Sequence, residues 1–214
     1  MCGDVFLGGI FSAQFGMAPV FGTSAELSLP QISIFVAAFY IGAMVFQFPV
    51  GWLSDRMDRR ILIVATSAIG FIAAVSAIFG ENIFIILLGS AFFIGGMSNP
   101  LYSLLIAYTN DFLEPDDMAS ASGGLLFLNG LGAISGPLFT GYLMTEIGPT
   151  GFFVILAALL GLLTVYGFYR MTQRGISDVD TSSYATVLPT TSVVAVEIAQ
   201  ELAIEATEEL DESA

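Results

Sequence analysis

Gly51-Trp52-Leu53-Ser54-Asp55-Arg56-Met57-Asp58-Arg59-Arg60 interrupts an otherwise apolar part of the chain. Its five charged residues fall between two long hydrophobic runs, and its three arginines are most of the five basic residues in the protein. Hydrocarbon does not accept such a stretch, because one Arg or Asp at mid-bilayer costs about 2.5 to 3.5 kcal/mol even on lenient insertion scales. The sequence therefore predicts a tight, solvated turn with a membrane-crossing helix on either side.

Outward from that turn the composition stays apolar. Of 214 residues 56% are hydrophobic and 11% charged, with mean hydropathy +0.85, where soluble domains carry roughly one-quarter charged residues. An all-α polytopic membrane protein follows. There is no histidine, every basic residue is Arg, and the single cysteine is Cys2. Histidine or cysteine metal centres, Cys–His catalysis and a disulfide framework within one chain are thereby excluded. No catalytic residue, metal or cofactor is expected, and the chain does not read as an enzyme. Cys2 reads as incidental, since no signal precedes it, and the first apolar run lacks the positive flank of a signal peptide.

The apolar runs are 5–21, 31–53, 61–79, 83–109, 119–145 and 151–169, each at or above the roughly 17 residues a span needs. Together they make a six-helix bundle over 1–170. Arg56, Arg59 and Arg60 lie between spans two and three, and Arg170 and Arg174 follow span six. Six spans put both groups on one side of the membrane, and the positive-inside rule makes that side cytoplasmic, with both termini inside. The net charge of −14 divides into −6 over residues 1–170 and −8 over 171–214. No basic patch suits nucleic acid, and the acidic segment 171–214 would be repelled by anionic headgroups, so it reads as a disordered cytoplasmic tail.

Polar groups inside spans need a partner or a wet cavity, which singles them out. Gln14 lies in span one and Tyr40 and Gln47 in span two. In span four Asn99, Tyr102, Ser103 and Ile106 share a face beside Gly95-Gly96-Met97-Ser98-Asn99-Pro100, where a kink is expected. Two roles stand side by side for Asn99: contact with a ligand beside a discontinuous helix at mid-membrane, or satisfaction of backbone groups freed by Pro100. In span five Asn129 lies on a stripe with Gly132 and Gly136, a small-residue pattern that serves helix packing. Phe11, Phe15 and Phe127 read as packing or lipid contacts. Spans three and six, the blandest, are expected to face lipid. No acidic residue stands at mid-depth in any span, so this segment supplies no evident proton-coupling carboxylate.

The pattern Gly-x-Leu-Ser-Asp-Arg-x-x-Arg-Arg, carried by Gly51, Leu53, Asp55, Arg56, Arg59 and Arg60, resembles the loop signature of the major facilitator superfamily of secondary transporters. The resemblance covers about residues 5–170. One departure is Asp58, where most members have Gly; if the turn requires positive φ there, Asp is among the residues that adopt it readily. The resemblance implies that the turn joins the second and third helices of a six-helix half. It also implies that the first and fourth helices line a cavity, the third and sixth face lipid, and the loop latches a gate. On that reading Asp55 and Arg59 pair, and Asp111, at the cytoplasmic end of span four, lies within reach of Arg56 or Arg59.

A carrier of this kind, closest to bacterial drug- or sugar-type exporters, implies a small-molecule substrate and a bacterial or archaeal plasma membrane. It also implies a second six-helix half, for which the short first span and the tail after span six make this the C-terminal half. Three arrangements are compatible with one six-span chain: a fragment or split half of a transporter, a homodimer, or a non-transporting membrane module whose acidic tail recruits a cytosolic partner.

Overall fold

The computed structural model describes residues 2–110 and 115–173, all of them in helices and short turns. The first span comprises α1 (Cys2–Phe11), a π-helical segment (Ser12–Met17) and α2 (Ala18–Ser24); then come α3 (Leu29–Ser54), α4 (Arg59–Phe79), α5 (Phe84–Asn110), α6 (Pro115–Ile147) and α7 (Gly151–Gln173). Among the described residues six helices are long and apolar enough to cross a membrane. The acidic segment 171–214 begins as the last turn of α7, and residues 174–214 lie outside the described residues, as does Asp111.

Local chemistry sets the ends. Span two begins at Leu29, two residues before the predicted start, because Pro30 is tolerated in a first turn and the Ser28 amide donates to Gln31 Oε1 at 2.9 Å. Gly148, at φ 80, turns the chain between α6 and α7, a conformation that costs glycine little.

The expected interruption of span four is not where the sequence placed it. α5 runs through Pro100 without a break, whereas span one is π-helical over Ser12–Met17. That segment ends two residues before Pro19, which has no N–H to offer the Phe15 carbonyl four residues earlier, and a wider register accommodates the missing bond. Gly95 and Gly96 serve close packing instead of loosening the helix. A Cβ on Gly95 would run into the Phe39 carbonyl, and one on Gly96 would lie 3.0 Å from the Gly42 carbonyl oxygen.

Those glycines belong to one of two seams. Spans two and four meet through Gly42, Gly95 and Gly96, and spans one and five meet through Gly8, Gly9, Gly132 and Gly136. Both pairs run parallel, with backbone against backbone. The other principal contacts join span three to spans four and six, and span six to spans one and five. Exchanging the first three spans with the last three maps these contacts onto one another, span five against span six excepted, the mark of two three-helix repeats of inverted topology.

Spans three and six are therefore not wholly lipid-facing. Leu62, Ser67, Gly70, Ala74 and Ala77 bury one face of α4, and Thr164 Oγ1 of α7 donates to Ser67 Oγ at 3.1 Å; Ile61, Ile72 and Phe79 point outward. At the end opposite the charged turn, Phe21, Phe35, Phe39, Phe152 and Phe153 form a buried ring cluster, with centroids as close as 5.0 Å. Such pairs add about 0.5 to 1.5 kcal/mol each beyond their buried area.

Candidate functional site

The charged turn is tighter and less solvated than its composition suggests. α3 ends at Ser54, where the amides of Arg56 and Met57 donate to the Leu53 carbonyl at 3.1 and 3.0 Å, and the Asp55 amide donates to Gly51 at 3.3 Å. Asp58 does not take positive φ. At φ −57°, ψ 118° it is extended, and its Oδ1 accepts the Arg60 amide at 2.9 Å, so it is the N-cap of α4. The departure from Gly thus exchanges a flexible residue for a cap. Asp58→Ala is expected to cost about 1 kcal/mol and Asp58→Gly a few tenths of that, readable as a fall in melting temperature of the purified protein that Asp58→Asn does not show.

Arg59 and Arg60 open α4 and are not loop residues, and Arg59 is only 2% exposed. A guanidinium so buried is held by the helices around it, which corrects the reading of the whole turn as solvated. Arg56 lies 4.1 Å over the Trp52 ring. Arg60 and Arg170 lie 5.6 and 5.9 Å from the Tyr108 ring, and Arg170 Nη1 donates to the Tyr166 hydroxyl at 3.3 Å. The start of α4 and the ends of α5 and α7 therefore converge on Tyr108, at the same end of the bundle. The sequence reading placed Asp111 there and passed over Tyr108, although a Tyr at the end of a span is a recognisable interfacial anchor.

A second group of polar and aromatic residues sits at mid-depth. Gln14, in the π segment, is fully buried; Ser98 Oγ donates to its Oε1 at 2.8 Å, and its Nε2 has no hydrogen-bond partner. Ser98 was missed because it lies inside the glycine-rich run, 84 residues from Gln14. Asn99 Nδ2 donates to the Gly95 carbonyl of its own helix at 3.0 Å, not to the Gly96 carbonyl that Pro100 leaves without an amide. Tyr102 and Ser103 are buried, with Tyr102 edge-on to Phe11 at 6.4 Å. Phe11 stacks on Phe15 at 6.1 Å, and Phe15 meets Tyr40 of α3 at 4.7 Å. Tyr40 itself is 57% exposed. Asn129 stands apart, on the seam with Gly8, its Nδ2 buried without a partner. A double-mutant cycle of Gln14→Leu and Ser98→Ala is expected to give a coupling of about 1 kcal/mol in unfolding free energy, with the double variant close to wild type. Among the described residues no three His, Cys, Asp or Glu side chains gather as metal ligands would.

A half-bundle of six membrane helices, with buried polar groups and an Arg-rich turn at one end, follows the three-plus-three plan that many transporter folds share. The chain belongs to the Major Facilitator Superfamily, whose sequence model matches residues 1–194. The uncharacterized MFS-type transporter YfkF of Bacillus subtilis is 32% identical over 155 residues, covering 70% of this chain and 38% of that protein. The uncharacterized MFS-type transporter YcaD of Escherichia coli O17:K52:H18 is 26% identical over 161 residues, covering 73% and 40%. The chain thus spans about two-fifths of the length of these curated relatives. Among solved structures, an auto-inhibited peptide transporter of the POT family superposes with TM-score 0.67 at 16% identity, over 83% of this chain and 38% of that one, and shows the shared fold. Both of these relatives are named as transporters, and this chain is an integral membrane protein of the same family.

Proposed function

We propose that the chain is one half of a secondary carrier that moves a small molecule across a bacterial inner membrane by alternating access, together with a second six-helix half. The observation that carries this reading is the π-helical break in span one, at mid-membrane, beside the Gln14–Ser98 contact with span four. Irregular helix is tolerated at that depth where it is enclosed by protein or lines a cavity. The second half belongs against spans two and five, whose outward faces include Ile41 and Phe48 on one and Ile134 and Leu138 on the other. The length of the relatives supports such a partner. The Arg-rich end faces the cytoplasm, with both termini inside. There Asp55, Arg56, Arg59 and Arg60, with Asp111, act as a latch whose contacts form in one access state and open in the other.

Accessibility tests this directly. Cys2 is the single cysteine, so Cys2→Ser supplies a thiol-free background. In it Tyr40→Cys, in cells expressing the chain with a six-helix partner half, is expected to react with a membrane-impermeant maleimide applied to either face of the membrane. Reaction from one face only, or from neither, overturns alternating access.

A further inference from the structure

We propose that the carried molecule is a neutral aromatic compound bearing a hydrogen-bond acceptor, seated on the Phe15–Tyr40 pair; this rests on the carrier reading above. The pair joins spans one and two, with ring centroids 4.7 Å apart and planes tilted by 33°. Phe15 is braced from behind by Phe11, which stacks on it within 7° of parallel, and Phe11 is in turn backed edge-on by Tyr102. The front is open. Tyr40 is mostly exposed, and Gly16, the residue after Phe15, is exposed with nothing within 4 Å of where a Cβ would stand. Met44, one helical turn from Tyr40 and 72% exposed, offers a polarizable thioether of the kind that packs on aromatic rings. The result is a rigid aromatic wall with an adaptable edge, which suits an aromatic ligand.

Two further observations fix polarity. Tyr40 lies near the middle of α3, at a depth where hydrocarbon offers its hydroxyl no hydrogen-bond partner, so that hydroxyl faces a polar space or a ligand and can donate to an acceptor. Within the six spans, every Asp, Glu and Arg falls in an end turn: Arg59, Arg60, Glu146 and Arg170. No fixed charge at mid-depth on this half balances a cationic or anionic ligand, so a neutral one is favoured against its wall. The Gln14–Ser98 contact has a positioning role here, since it anchors the π segment that aims Phe15.

Photolabelling with benzophenone, which is neutral, aromatic and carries a carbonyl, tests the assignment on the full chain in proteoliposomes with a partner half. Label is expected on peptides holding Phe15–Met17 and Tyr40–Met44. Excess unlabelled benzophenone should compete strongly, diphenylmethane (the same rings without the acceptor) more weakly, and dicyclohexyl ketone and tetraphenylphosphonium hardly at all. Tyr40→Ala and Phe15→Ala should each weaken half-maximal competition about tenfold. Tyr40→Phe should weaken it about fivefold for benzophenone and not at all for diphenylmethane. Outward-facing Phe79→Ala is the control that should change nothing. Preference for the phosphonium cation, equal competition by the aliphatic ketone, or label confined to outward-facing peptides would overturn the assignment. So would Tyr40 variants that weaken association with the partner half and leave labelling intact. Failure of Tyr40→Cys to react from both faces strikes the carrier reading instead, so the two failures are distinguishable.

Discussion

Replacing Gly42 with valine is expected to abolish the folded bundle. A single Cβ at that position would fall inside the contact radius of the Phe92 carbonyl oxygen and 3.0 Å from the Gly96 amide nitrogen. These are backbone atoms of α5, which no rotamer change can move. Nor can the helices part locally, because Gly95 sits against the Phe39 backbone and Gly96 against the Phe46 ring along the same seam. Overpacking in soluble cores costs about 1 to 3 kcal/mol when side chains can adjust, and here a whole crossing must open. Size-exclusion profiles and melting curves of the solubilised protein should show Gly42→Val, and likewise Gly8→Val on the opposite seam, as aggregated or melted by tens of degrees. Gly89→Val and Gly130→Val, whose Cβ positions are clear of any atom within 4 Å, should behave like wild type. Equal behaviour of the two sets would show that the seams do not hold the fold.

The second large effect belongs to Arg59. Truncating a buried charged residue disturbs everything arranged to receive it, by about 3 to 5 kcal/mol in buried pairs. If its contacts form in one access state only, Arg59→Ala should shift the ratio of Tyr40→Cys labelling rates from the two membrane faces by tenfold or more, since each 1.4 kcal/mol is about a factor of ten. Arg59→Lys should restore little, because an ammonium does not reproduce a planar guanidinium fork. Arg56 and Arg60 remain to set topology, so orientation should be unchanged. An unaltered labelling ratio in Arg59→Ala would leave the turn a topological signal and sink the latch.

The span pattern and the charged turn were legible because hydropathy and Arg placement are local properties of the chain. Boundaries moved by a few residues where caps intervened, as at Ser28 and Asp58. What the sequence could not convey was which helices meet. Gly95 and Gly96 read equally as looseness or as close approach, and only the path of α3 across them decides. Gln14 and Ser98 each look like a stray polar residue until span one is laid on span four. Arg59 looks solvated until its neighbours are counted. Tyr40 was singled out with Gln14, Asn99, Tyr102, Ser103 and Asn129 as cavity polar groups. The structure links Tyr40 through Phe15 and Phe11 to Tyr102, ties Asn99 to its own backbone and leaves Asn129 on the other seam.

The widened turn at Ser12–Met17 behaves, in register, like one surplus residue stored in a helix. Deleting a single residue there would let α geometry close up while the faces on either side keep their bearings, because the wide turn absorbs its extra residue without rotating what flanks it. Gly8 and Gly9 would then stay in the groove they share with Gly132 and Gly136. The same deletion in a helix without such a turn would swing everything before it by about 100° around the axis and take the glycines out of the groove. Span one therefore holds a reserve of one residue that its regular neighbours lack, although nothing in its hydropathy counts that finely.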